Sequence, residues 1–193
     1  MTSPTQYVSI PPLDTASDED LYRRIWMELQ RAAQDRHHDW RTPVLSSVDA
    51  QGIPQARTVV LREVNTNTRE LTFYTDRRSP KVAELQAAPL TALVFWSKRL
   101  SWQLRVAARV RVDTTGRLID AAWARVSQSA AAGDYLSATA PGSPLQHQNN
   151  APNKHHNMAI LTAQIDVLDW LELARSGHRR ALVTPDRTEW CVP

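Results

Sequence analysis

From Ser101 to Val112 the chain alternates with little interruption: Trp102, Leu104, Val106, Ala108, Val110 and Val112 on one parity, Ser101, Gln103, Arg105, Ala107, Arg109 and Arg111 on the other. A period of two over that length predicts a long antiparallel strand with one face in a core and one polar face. Upstream, Leu21, Ile25, Leu29 and Ala32 recur every three or four residues after Ser17-Asp18-Glu19-Asp20, a capped amphipathic helix running to about Arg36. Residues 43–50 read as a strand, Gln51-Gly52 as a turn, and Ile53 to Arg62 as a second strand closing a hairpin. Asn65 to Thr68 is a turn and Glu70 to Thr75 a third strand. Ser79-Pro80 opens a short helix, since Ser caps and Pro suits the first helical position; Val82, Leu85 and Ala88 line one side and Pro89 ends it. Leu90 to Trp96 is a strand and Leu118 to Val126 a helix. Strands follow at Met158 to Leu173, from about His178 to Val183, and at Thr188 to Val192. Residues 1–16, with three prolines, read as an extended arm, and 137–157 as a polar loop rich in Pro, Asn, Gln and His. Short connections between six or seven strands argue a mainly β, α+β fold: an antiparallel β-barrel with peripheral helices, in one domain over residues 1–193.

The composition changes this picture little. Apolar and charged fractions of 42% and 22% are those of a globular protein, and no apolar run reaches the length of a membrane span. The amino terminus lacks a basic stretch followed by an apolar one, and Cys191 is the single cysteine, so a cytoplasmic protein without disulfides is expected. His37-His38 and His155-His156 lack the helical i, i+4 spacing of a metal site, and none is expected. With five glycines there is no Walker loop and no G-x-G-x-x-G fingerprint. A phosphate-bearing ligand would have to be held by side chains and a helix end.

That requirement directs attention to FYTDRRSPK, residues 73–81. Cations are disfavoured at a helix amino end, whose dipole is already positive there, yet Arg77, Arg78 and Lys81 stand around one, with Arg57 and Arg62 on the preceding strand. An anion in that place would account for them, against the plainer reading of a solvated basic turn. In a regular strand Arg57 and Arg62, five apart, fall on opposite faces, so a shared ligand must wrap a strand end or meet a bulge. Gln103, on the polar face of the long strand, can both donate to and accept from the edge of a heterocycle.

RTVVLR (57–62), FYT (73–75), SPK (79–81) and LSWQLRV (100–106), in this order, resemble the pyridoxamine 5′-phosphate oxidase-like family of FMN-binding split β-barrels. Trp170, His178 and Arg180 match its carboxy-terminal pattern more loosely, and PGSPL (141–145) is similar to an oxidase-related subfamily of unknown substrate. The resemblance implies a split β-barrel and a homodimer with FMN at the subunit interface. It implies that Arg57, Thr58, Val59, Val60, Leu61 and Arg62 hold the ribityl phosphate and ring, that Tyr74 and Thr75 line the site, and that Lys81, with Ser79, pairs with the phosphate. Gln103 would face the isoalloxazine ring, and Trp170 and Arg180 would complete the site from the other subunit. His178 is the first candidate for handling a proton. The family's substrate side is matched less well: Pro80, Ser176 and Trp102 stand where it carries basic residues, and AAWARVSQS (121–129) lacks its phosphate cluster. The expectation is therefore an FMN-dependent oxidoreductase acting on a substrate other than a B6 vitamer. The rivals are a flavin-binding or storage protein without turnover and a basic barrel binding nucleic acid. Parity counts against the last, because Trp102 falls on the face opposite Arg105, Arg109 and Arg111.

Overall fold

The computed structural model describes residues 18–145, 153–184 and 186–193. The proposed arm at 1–16 and the centre of the polar loop, 146–152, lie outside the described residues. Helix α1 (Asp18–Gln34) buries Leu21, Ile25, Leu29 and Ala32, as the helical spacing requires. Its last carbonyls, at Ala32 and Ala33, accept from the Arg41 guanidinium, which satisfies groups the helix itself cannot. Arg41 belongs to a 3₁₀ turn, Asp39–Arg41, absent from the sequence reading, which drives Trp40 into the core.

Strand β1 (Val44–Val48) and strand β2 (Pro54–Thr58) form the expected hairpin. Asp49 Oδ1 accepts from the N–H groups of Gln51 and Ile53, and Gly52 takes φ +80° in the turn. The second strand does not run on to Arg62. The chain leaves the ladder at Val59-Val60, where Val59 N–H donates to Pro43 O at 2.9 Å, and resumes as β3 (Leu61–Asn65). Nothing in the apolar run VVL (59–61) marks this break. Strand β3 pairs with β4 (Glu70–Asp76) with a register slip between Leu61 and Glu63, a bulge at Arg62.

Helix α2 (Pro80–Ala87), β5 (Leu90–Ser97) and β6 (Trp102–Asp113) follow, then α3 (Arg117–Val126) and a 3₁₀ segment, Ala130–Tyr135. Strands β7 (Met158–Glu172), β8 (Arg179–Val183) and β9 (Thr188–Cys191) complete the chain. The sheet runs β2-β1-β5-β6-β7-β4-β3, with β8 also paired to β7 and β9 to β8, all antiparallel. Strand β7 pairs with β6 along its length but changes its other neighbour: Met158–Gln164 pair with β4, Leu168–Glu172 with β8. The change coincides with a slip opposite Ala107-Ala108 that leaves Asp166 unpaired and exposed. A bulge bends a strand and increases its twist, and here it opens the sheet into two lobes. The sheet is not closed, since β2 and β3 sit at opposite ends of the path. This is a split antiparallel barrel with peripheral helices.

Inward positions of β6 from Trp102 to Val110 are buried in strict alternation, and its outward Arg105, Ala107, Arg109 and Arg111 are exposed. The core is joined by a run of rings: Phe95 to Trp40 at 5.8 Å between centroids, Trp40 to Trp102 at 6.3 Å, Trp102 to Trp170 at 5.2 Å and edge-on. Rings of this size bury on the order of 150–250 Å² each, roughly 4–6 kcal/mol of hydrophobic transfer apiece. A smaller cluster, Ile119, Ala122, Tyr135, Met158 and Ile160, fixes α3 against β7. Among the described residues no helix is long and apolar enough to cross a membrane.

Candidate functional site

The cations around the start of α2 turn out to have different tasks. Arg78 is a structural clamp. Its guanidinium donates to both Asp76 carboxylate oxygens, at 3.0 and 2.7 Å, and to the carbonyls of Ser137, Ala138 and Thr139. The Asp76 hydrogen bond holds its pKa above the ordinary arginine value. Lys81 instead turns back over the helix start, donating to Ser79 Oγ at 2.6 Å and Thr75 Oγ1 at 3.0 Å. Burial, and then the charge of Arg57, pulls its pKa below that of a free lysine, with Glu84 and Asp76 acting the other way. The buried Ser79 therefore makes no side-chain cap bond to the helix, although its backbone has the extended conformation of a cap.

Arg57 comes from β2 on the inward parity, opposite buried Leu45. It donates to Ser47 Oγ through Nη1 and pairs with Glu84 Oε2 through Nη2 at 3.2 Å, while Ser47 Oγ–H donates to the same Glu84 oxygen. Arg57, Thr75, Ser79 and Lys81 thus gather at one end of α2, together with two residues the sequence reading passed over. Glu84 stands one turn after Lys81 on the same helix face, a spacing that could have revealed it. Ser47 is a hydroxyl at an inward, apolar-expected position of β1, and its signal was that exception to the alternation.

The remaining predicted residues lie elsewhere. Thr58 is exposed; Val59 and Leu61 are buried and have backbone alone to offer; Val60 is partly covered in the strand break. Arg62 and Tyr74 form a second group. The Arg62 guanidinium carbon lies 5.7 Å from the Tyr74 ring centroid, and its buried Nε has no hydrogen-bond partner. Tyr74 Oη donates to Glu63 Oε1 at 2.8 Å, and Arg125 of α3 reaches both groups. Burial raises the Tyr74 pKa, with Arg125 opposing and Glu63 reinforcing. Burial likewise raises that of Tyr135, against the charge of neighbouring Arg62. Tyr74, Glu63 and Arg125 line a cleft of about 520 Å³ between α3 and the β3–β4 hairpin.

The third group is on the outward face of the other lobe. Gln103 is in register with Leu171, and Leu171 with Arg180, so Gln103 and Arg180 flank one leucine. Arg180 makes a two-pronged pair with Asp169, at 3.0 and 2.9 Å, and Arg105 binds the same carboxylate. Burial works to raise the Asp169 pKa, but the two arginines outweigh it and hold it low. His178 is exposed at the β7–β8 turn. Trp170, which the resemblance assigns to the site, is fully buried between Trp102 and Trp190, with its indole N–H unpartnered. Arg57 faces inward from β2 and Arg180 outward from β8, so one copy of the chain does not bring them together.

Residues 23–114 match the family model described as pyridoxamine 5′-phosphate oxidase, FMN-binding domain. Proteins named pyridoxine/pyridoxamine 5′-phosphate oxidase align with it. The one from Chromohalobacter salexigens is 33% identical over 63% of this chain and 54% of its own, and the one from Myxococcus xanthus 34% over 69% and 58%. The alignments thus span little more than half of those relatives. Among solved structures, a pyridoxamine 5′-phosphate oxidase-related, FMN binding protein from Nostoc punctiforme superposes with a TM-score of 0.70 over 93% of this chain and 99% of its own, at 21% identity. PhzG from Burkholderia lata, solved in complex with tetrahydrophenazine-1-carboxylic acid, gives 0.67 over 93% and 95%, at 14%. At such identities these two speak for the fold. By its matched segment and its split barrel, the chain is similar to the pyridoxamine 5′-phosphate oxidase-like family.

Proposed function

We infer that the chain is a single FMN-binding domain acting as an FMN-dependent oxidoreductase, on a substrate other than pyridoxamine 5′-phosphate. The observation that carries this is the convergence of Lys81, Arg57, Thr75 and Ser79 at the start of α2, within the segment matched by the FMN-binding family model. The donor set suits a phosphate. A partly buried ammonium is held by two neutral hydroxyls, a guanidinium lies near enough to depress its pKa, and first-turn N–H groups lack a side-chain cap. The orphaned Arg62 Nε offers a second donor toward the other end of an extended ligand. In this reading the backbone of 58–61 and the side chain of Tyr74 line the remainder on the same copy.

Arg180 and Gln103, neighbours on one outward face, enter from a second copy, and Trp170, buried in the same lobe, supports them from within. An outward face bearing Val44, Leu90 and Trp96, the last two 61% and 47% exposed, supports association. When bound, FMN supplies the hydride chemistry, while the protein supplies binding, orientation and charge. Arg62, Arg57 and Arg105 are the cations available to a reduced flavin, and His178 is the residue for proton handling. The reading carries with it a cytoplasmic location.

The test is the absorption spectrum of the purified protein, as isolated and after incubation with FMN, with the released flavin identified by chromatography. FMN at one equivalent per chain, in a particle of twice the chain mass, is expected. Failure to take up FMN would refute the reading. Reduction of the bound flavin by a nicotinamide, followed by reoxidation, separates an enzyme from a protein that only stores the flavin.

A further inference from the structure

The geometry points to Glu84 and Ser47 as a positioning pair that fixes the Arg57 guanidinium for the phosphate end of the ligand, an inference that rests on the FMN reading above. The three side chains form a closed ring of hydrogen bonds. Arg57 donates through Nη1 to Ser47 Oγ and through Nη2 to Glu84 Oε2 at 3.2 Å, and Ser47 donates its own proton to that carboxylate. Every member is used once or twice, and three guanidinium N–H groups are left over. The ring is mostly sealed: Ser47 is buried and the Glu84 side chain is 11% exposed.

An arginine on the first edge of a sheet, held only by its backbone, would sample many rotamers. Tied at two nitrogens from the inner side, it presents its remaining donors in one orientation. Glu84 belongs to the helix that carries Lys81, so the link also sets the spacing between the two cations. The opposing possibility is that Glu84 acts as a counter-charge that weakens anion binding. The two make opposite predictions. Its carboxylate is already engaged twice, by Ser47 and Arg57, which favours positioning.

The experiment is titration of the apo protein with FMN and with riboflavin, followed by quenching of flavin fluorescence, for wild type, Glu84→Gln, Glu84→Ala and Ser47→Ala. Melting curves confirm that each variant folds. Loss of the acceptor in Glu84→Ala is expected to weaken FMN binding about tenfold or more, by analogy with the loss of an outer orienting partner at a metal site. Glu84→Gln, which keeps an acceptor oxygen without the charge, should recover most of that loss. Ser47→Ala should fall with Glu84→Ala, and it carries the test alone if the latter does not fold. Riboflavin, which has no phosphate, should bind all four equally. FMN binding by Glu84→Ala that matches or exceeds wild type would overturn the positioning role and leave the FMN reading intact. A wild-type chain that binds no FMN would overturn both.

Discussion

Replacing Lys81 with Met separates binding from stability. The Lys81 ammonium has three N–H donors, of which two go to Ser79 and Thr75, leaving one for an anion. A hydrogen bond between charged partners is worth about 1.5–3 kcal/mol net, so losing it should weaken FMN binding about 10- to 150-fold. Riboflavin affinity should stay the same. The apo protein should move the other way. Burial and Arg57 depress the Lys81 pKa, which means that the fold holds this charge at a cost. The cost is fully present below the lowered pKa, where Lys81 is charged in both folded and unfolded chains. It is relieved as pH rises from there toward the ordinary 10.5. Lys81→Met removes it, and frees the Ser79 hydroxyl to cap α2. The apo variant should therefore melt higher than wild type at neutral pH, with the advantage shrinking in the alkaline range. Fluorescence titration and thermal melts of the two apo proteins measure both halves. Equal losses for FMN and riboflavin, or a lower apo melting point at neutral pH, would refute the assignment of Lys81 to a phosphate.

Trp40→Ala should cost about 3–5 kcal/mol, as for other large rings cut out of a core, because Trp40 is fully buried against Phe95 and Trp102. In a chain of this size that lowers the melting point by roughly 6–20 °C. Asp169→Asn tests the outward arginine pair. The stability from this carboxylate, whose folded pKa is lowered, is present above its ordinary 3.8 and is lost as pH falls through the lowered value. The variant should be less stable than wild type near neutrality and converge with it in strong acid, as melts across that range would show.

What could be read from the chain depended on whether a feature is local. The alternation from Trp102 to Val112 and the spacing of Leu21, Ile25 and Leu29 are set by backbone periodicity, and both elements stand as their patterns require. The break at Val59-Val60 was illegible because it falls inside an apolar run, Val59 to Leu61, that shows no interruption in sequence. The site was legible as a cluster of cations and no further. Arg78 and Lys81 look equivalent in sequence, but a carboxylate two residues back and the carbonyls of 137–139 claim the first. The burial of Trp170 was likewise out of reach: strand parity puts it on a face, and only the packing of Trp102 and Trp190 makes that face the interior.

The change of neighbours along β7 bears on how the chain is made. Strand β4 finds its inner partner in Met158–Gln164, and β6 pairs with β7 over nearly the whole of its length. During synthesis both strands are therefore complete long before their common partner leaves the ribosome, and each presents an unpaired edge to other nascent chains. Such long-range closure makes for slow folding. Fragments ending before Met158 are expected to aggregate, and the yield of the full chain should respond to lower growth temperature and to chaperone supply more than that of a helical protein of the same length.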